Sequence, residues 1–245
     1  MIDRFIPAHN PSTKILYSAD HAAGRRSFAL TANQLVRWQH VVTWRGITEN
    51  ATLLRVVADE PDGIHVVPDI TYRDIVGARY GMACADASYQ ALSVLAILQT
   101  SDGHIILCPR DSGDWPASYE APGGFVRAAS QWQTVDECIA ERLAREVPAL
   151  TIHRCQCAGV YDFPSIAEHM YVYDAYVSQT AHAVRRRMPE AQVLSQMQLT
   201  ALLAGTLTVP APLHFPTARV LQARFKIPVP VPLKETAHCD VPVYV

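Results

Sequence analysis

Glu137, Glu141 and Glu146 lie within the segment TVDECIAERLAREV, residues 134–147, interleaved with Arg142 and Arg145. Carboxylates on successive turns of a helix can share hard divalent cations such as magnesium, which bridge phosphate oxygens and neutralise charge as water attacks phosphorus. Guanidinium groups on the same helix offer a different chemistry, because each presents a planar fork of donors that grips phosphate oxygens directly. Ahead of this segment, Gly123 and Gly124 in Pro122–Val126 (PGGFV) let the backbone turn sharply or pass close to a ligand. A plainer reading stands beside these: Arg142 and Glu146, four apart, form a helix-surface salt bridge worth roughly 0.2–0.5 kcal/mol.

Other reactive side chains are scattered. Cys155 and Cys157 fall on one face of a strand, yet no second thiol pair or histidine at zinc spacing completes four ligands, so packing is the favoured role. His169, preceded by Glu168, opens an apolar run and can serve as a base, a donor or a satisfied structural residue. Glu120 and Asp162 are further acids that can face a cleft, and Trp115 and Tyr161 can stack on a base or fill a core. The phosphate-cradling Gly-Lys loop, the Gly-x-Ser-x-Gly nucleophile turn and the dinucleotide glycine fingerprint are missing, so those enzyme classes lose ground.

The elements that must hold these residues follow from periodicity. Residues 91–99 and 105–108 are apolar runs joined by Thr100–His104 (TSDGH), whose Asp102-Gly103 pair favours a tight antiparallel hairpin. Val135, Ile139, Leu143 and Val147 recur every fourth residue with Cys138 beside them, which predicts a helix over 134–147, capped by Thr134 and stopped by Pro148. Residues 152–160 and 170–177 read as strands, and 194–203 as a helix ending near Gly205. Upstream, 53–58 and 64–67 read as extended on either side of the Pro61-Asp62-Gly63 turn, and 29–44 as helical. The prolines of 227–233 suit an extended tail. Strands and helices in this order argue for a mixed sheet sandwiched by helices.

The hairpin ending at Arg110, the Pro122–Val126 turn and the helix running to Glu146 together resemble the Nudix superfamily over roughly residues 90–205. The family's motif follows a Gly-Gly turn with a helix bearing Arg-Glu-x-x-Glu-Glu, whose acids hold magnesium against a diphosphate. The best register lays that hexapeptide on Glu141–Glu146, with the hydrophobic third position at Leu143. Arg142 and Arg145 then stand where the first two ligand carboxylates are expected, and Arg127 near an upstream Glu; among these ligands Glu146 alone is kept. The loop from Gly124 to the helix is about three residues longer than the family's spacing. Three acids worth −3 become two arginines and one acid worth +1, a face that repels a bare divalent ion. Glu141 and Glu137 form an i, i+4 pair, but Glu141 is rotated about 100° from position 142.

Fainter still, Tyr72-Arg73-Asp74 within 69–77 resembles the N-terminal extension of UDP-sugar-hydrolysing Nudix proteins, which implies a nucleotide sugar or another nucleoside diphosphate derivative as ligand. Two functions are therefore carried. One is an atypical magnesium-dependent hydrolase of a nucleoside-diphosphate-linked bond, with Glu146 and Glu141 as catalytic acids and Glu146, Glu141 and Glu137 as metal ligands. The other is a non-hydrolytic Nudix-fold protein, a ligand-binding or interaction module or a repurposed enzyme. In the ligand-binding set are Gly123, Gly124, Arg127, Arg142, Arg145 and Tyr161.

The chain has 245 residues, with 49% hydrophobic and 18% charged residues, the balance of a globular protein rather than a disordered one. Twenty-one Lys plus Arg against twenty-three Asp plus Glu leave a formal charge of −2, which gives no bulk attraction to nucleic acid or anionic lipid. No apolar run approaches the roughly 20 residues of a membrane span, and no basic-then-apolar leader opens the chain, so a cytoplasmic location is expected. Six scattered cysteines suit a reducing compartment. The expected organisation is an α/β, Nudix-like α/β/α sandwich at 90–225, a small N-terminal α+β lobe at 1–89 and a Pro-rich extended tail at 226–245. The expected partner is a phosphorylated small molecule, with no nucleic acid or membrane and a homodimer left open.

Overall fold

The computed structural model describes residues 4–7, 13–18, 50–79, 90–111 and 117–227, together with isolated helical positions between 36 and 43. The helix expected over 29–44 lies mostly outside the described residues, as do Trp115, Cys84, Cys239 and the tail beyond Ile227.

In chain order the elements are β1 (Arg4–Pro7), β2 (Ile15–Tyr17), β3 (Thr52–Glu60), β4 (Gly63–Thr71), α1 (Tyr72–Arg79), β5 (Ala91–Gln99), β6 (Ile105–Arg110), β7 (Ser118–Glu120), β8 (Gly123–Phe125), α2 (Val135–Glu146), β9 (Ile152–Phe163), β10 (Glu168–Val177), α3 (Ala181–Arg187), β11 (Gln192–Leu194), α4 (Gln196–Leu203) and α5 (Phe215–Phe225). The strands join in one mixed sheet with the main order β1-β9-β10-β5-β3-β4-β2, from which β6, β7, β8 and β11 branch. Its centre is the parallel pair β5 and β10, in register from Ala91 opposite Glu168 to Gln99 opposite Tyr176. Strands covered on both faces carry near-continuous apolar runs. β5 (ALSVLAILQ) is such a run, buried throughout except at Gln99.

The period-two alternation of β5 then sorts the core into two layers. Leu92, Val94, Ala96 and Leu98 pack with Val135, Cys138, Ile139 and Leu143 of α2 and with Ala181 and Val184 of α3. Leu95 and Ile97 face the other way, against Leu199 and Leu203 of α4 and Ala218, Val220 and Leu221 of α5. Helices therefore cover both faces of a mixed sheet, the α/β/α class expected from the order of elements.

The β5–β6 hairpin turns as its sequence requires. Gly103 adopts φ +80°, and the Thr100 hydroxyl donates to Asp102 at 2.6 Å. α2 matches its predicted stripe, with Val135, Cys138, Ile139 and Leu143 buried. Its N-terminus is a reciprocal cap: the Thr134 side chain accepts the Glu137 N–H, and Glu137 accepts the N–H groups of Gln133 and Thr134 at 3.0 and 3.3 Å. Thr134→Ala should therefore cost about 1 kcal/mol, read as a lowered urea midpoint at unchanged slope. An unshifted midpoint would mean that the cap is energetically idle.

Some boundaries and elements differ from expectation. The helix expected from 194 begins at Gln196, because Leu194 ends β11 and Ser195 forms a capping box with Gln198. α3 and α5 lack a clear sequence stripe; α5 buries nearly its whole first half, including polar Thr217. The 69–77 segment is divided between the end of β4 and α1. The N-terminal hairpin β3–β4 is joined to the central sheet along one edge, where Val56 N–H donates to Gln90 O and Leu54 N–H to Val126 O.

Candidate functional site

Gly123 and Gly124 form β8, laid against β5 with Gly123 opposite Leu95 and Gly124 opposite Val94. A Cβ on Gly123 would stand 2.2 Å from the Val94 carbonyl oxygen, so only glycine permits this approach. Gly124 has φ +135°, and a Cβ there would meet the Arg142 guanidinium at 3.3 Å. The glycine doublet thus seats α2 directly over the sheet. This passage from glycine strand to helix has the form that the Nudix resemblance implies.

Glu146 sits at the end of α2, and both its oxygens are engaged. Oε2 accepts the Gly123 N–H at 3.1 Å. Oε1 accepts from Arg142 Nη1 at 3.0 Å and from Arg145 Nη2 at 3.3 Å. The other arm of Arg142 donates to the Phe125 carbonyl at 2.7 Å, and its side chain is only 15% exposed. Arg142 is therefore a brace from α2 to β8 rather than a fork open to solvent. The i, i+4 salt bridge of the plainer reading is present, with two further contacts that a bare surface pair lacks.

Of the remaining acids of the helix, Glu141 shares the Arg145 guanidinium with Glu146. Glu141 accepts from Arg145 Nη1 at 3.0 Å. Glu137, at the opposite end of the helix, is committed to the cap. Among the described residues, the one group of three metal-capable side chains within mutual reach is Glu60, Asp62 and His65, on the β3–β4 hairpin, with no member from α2. Arg127 is exposed, before a short 3-10 turn at Ala128–Ser130. Tyr161 is buried and stacks on Phe163 with ring centroids 4.0 Å apart, a place in the second core layer rather than at a cleft mouth. Cys157 lies 3.8 Å from the Gly159 carbonyl oxygen, and its thiol is pushed up to about 11, chiefly by burial.

The residues of the Tyr72 segment have structural partners. Asp69 receives a two-pronged contact from Arg55 at 2.6–3.1 Å, Asp74 accepts from Thr71 N–H at 2.7 Å, and Tyr72 meets Phe125 edge-on at 5.7 Å.

A second polar cluster was visible in the sequence only as separate residues. His169 Nε2 lies 3.1 Å from Asp59 of β3, and Nδ1 lies 3.7 Å from Asp162 of β9. Tyr171 donates to the other oxygen of Asp59 at 2.9 Å, Gln90 donates to Asp162 at 2.6 Å, and Arg4 of β1 reaches Asp162 at 3.3 Å. Burial alone would lower the His169 pKa, but the two carboxylates more than reverse this and hold it above the ordinary value. The His169 ring beside it is the main cause that holds Asp162 down at about 2. With a carboxylate facing each ring nitrogen, His169 favours its protonated form and ties β3, β9 and β10 together as a clamp rather than standing as a free base. Asp59 and His169 are 110 residues apart, and no local pattern links them.

The scaffold is thus an α/β/α sandwich with a glycine strand feeding a helix whose acids are held in ion pairs and caps. No family model and no curated protein matches the chain. Among solved structures it is similar to DR0079 of Deinococcus radiodurans, at 17% identity and a TM-score of 0.39, covering 54% of this chain and 80% of that one. It is also similar to the Nudix domain of NrtR from Shewanella oneidensis, solved with ADP-ribose, at 15% identity and a TM-score of 0.34, covering 56% and 87%. A Nudix hydrolase from Nitrosomonas europaea gives 14% identity and a TM-score of 0.34, covering 55% and 68%. Likeness at this level says nothing of substrate or metal.

Proposed function

We propose that the chain is a Nudix-like protein that binds a nucleoside-diphosphate-linked ligand, such as a nucleotide sugar, without metal-dependent hydrolysis. The observation that carries this reading is the state of Glu146: each oxygen already accepts from the protein, and two arginines lie beside it. A divalent ion would have to displace those guanidinium groups, including the Arg145 fork that Glu141 and Glu146 share, against local positive charge and with no third acid of α2 completing the set. The helix is kept as a brace, and the exposed Arg127 and Arg145 are the cations that a diphosphate meets from solvent.

Saturating magnesium is expected neither to raise the melting temperature nor to release phosphate from UDP-sugars or ADP-ribose. Magnesium-dependent turnover that disappears in Glu146→Gln would overturn the non-hydrolytic reading. A nucleotide sugar that stabilises the protein without metal, and stabilises Arg145→Ala less, would support it.

A further inference from the structure

At the other end of α2 lies a cleft of about 550 Å³, within the range of small-molecule sites. It is lined by Lys14 and Tyr17 at β2, by Trp132 and Thr134 of the loop that runs antiparallel beside them, and by Pro68 of β4. Thr134 and Glu146 bracket the 12 residues of α2, about 18 Å of helix, so this cleft is separate from the Glu146 ion pairs.

Several features distinguish it from a passive crevice. Tyr17 is 43% exposed, one of few large hydrophobic side chains left in solvent among the described residues, and its hydroxyl donates to the Trp132 carbonyl at 3.3 Å. Trp132 is half-buried against the first core layer, which gives the cleft a rigid aromatic wall. Lys14 is exposed and, among the described residues, forms no ion pair. Its backbone is held from both sides. Lys14 O accepts from Ile64 N–H at 2.8 Å, and the flanking residues bond the loop through Ile15 N–H to Gln133 O at 2.8 Å and Val135 N–H to Thr13 O at 3.0 Å.

The loop beside Lys14 closes its short 3-10 turn at a C-cap residue. Gln131, a non-glycine residue, sits in the left-handed region at φ +49°, ψ +41°. The two acids of the helix's first turn are engaged elsewhere: Glu137 accepts N–H groups at the cap, and Asp136 accepts the Tyr173 hydroxyl at 2.6 Å. This loop is also the stretch that is longer than the Nudix spacing.

We propose that this cleft is a binding site for a planar aromatic ring carrying an anionic group, with Trp132 and Tyr17 contacting the ring and Lys14 the anion. A nucleoside monophosphate has that chemistry, and so does an aromatic carboxylate. Ring stacking is tolerant of ring identity, whereas a single lysine distinguishes charged from uncharged ligands. The site does not depend on whether hydrolysis is retained, so magnesium-dependent turnover would overturn the proposed function and leave the cleft untouched.

The test titrates AMP, UMP, indole-3-acetate and uncharged adenosine into the full chain without metal, following tryptophan fluorescence and calorimetric heat. AMP or UMP should bind and adenosine should bind at least fivefold more weakly; indole-3-acetate binding in their place would identify the carboxylate source. Lys14→Gln should weaken the anion about fivefold, and Trp132→Leu should weaken every ring ligand about tenfold. Because Trp132 also packs on the core, Tyr17→Ala, at an exposed position, provides a second variant with the same expected direction. Failure of all three charged probes to bind, adenosine binding as tightly as AMP, or binding unchanged in Lys14→Gln and Tyr17→Ala would each overturn the proposal.

Discussion

Gly123→Ala is expected to destabilise the protein by about 3 kcal/mol or more, enough to remove a large share of the stability of a typical domain. The added methyl would sit 2.2 Å from the Val94 carbonyl oxygen and 2.8 Å from Leu95 Cα, both backbone atoms of the central strand β5. Neither can move without shifting the β8–β5 pairing, and the Gly123 N–H would move away from Glu146 with it. Two neighbouring comparisons isolate this cause. At Gly124 the added Cβ would meet only the flexible end of Arg142 at 3.3 Å, so the cost should be smaller and come mainly from φ +135°. Gly103→Ala has open space around it and pays only for φ +80°, about 1 kcal/mol. Urea unfolding of the three variants gives the ranking. A Gly123→Ala protein within 1 kcal/mol of the parent would show that β8 does not lie this close to β5.

His169→Leu should cost about 2–3 kcal/mol near pH 6, because it leaves Asp59 and Asp162 without the cation between them. The figure is at the low end for broken buried pairs, since Asp59 is partly solvated. The pH dependence carries the sharper signature. The folded-state pKa of His169 is raised above 6.5, so its contribution is fully present below that value. It is lost as pH climbs from 6.5 through the folded value. Asp162 works in the other direction: its pKa falls from 3.8 to about 2, so its share is present above 3.8 and lost as pH drops toward 2. Both shifts describe largely one interaction and are counted once. Unfolding free energy measured across this range should fall on the alkaline limb in the parent and stay flat there in His169→Leu. Identical alkaline limbs would mean that His169 is not the titrating group.

Much of the scaffold was legible because its signals are local. The apolar run of β5, the Asp102-Gly103 turn and the four-residue stripe of α2 each lie within one element, where side-chain periodicity and turn chemistry act over a few residues. Thr134 announced the helix start by the same logic, while the reciprocal bond from Glu137 emerged only in the structure. The α5 helix was not legible, because a helix buried on nearly all sides, including Thr217 and Gln222, shows no polar face to set its period.

The candidate sites divide along the same line. Residue types alone determined that the Glu141–Glu146 stretch carries more positive than negative charge on one face, and that Arg142 and Glu146 can pair. Whether those arginines offer their donors to a ligand or spend them on the protein depended on what stands within 3 Å of each nitrogen. The fold supplies Phe125 O to Arg142, and it supplies the Gly123 N–H to Glu146. The Asp59–His169–Asp162 clamp and the Lys14–Tyr17–Trp132 cleft belong wholly to the tertiary structure. Their members come from distant strands and loops, and hydrogen bonds and ring contacts act over a few ångströms of space, however many residues of chain lie between.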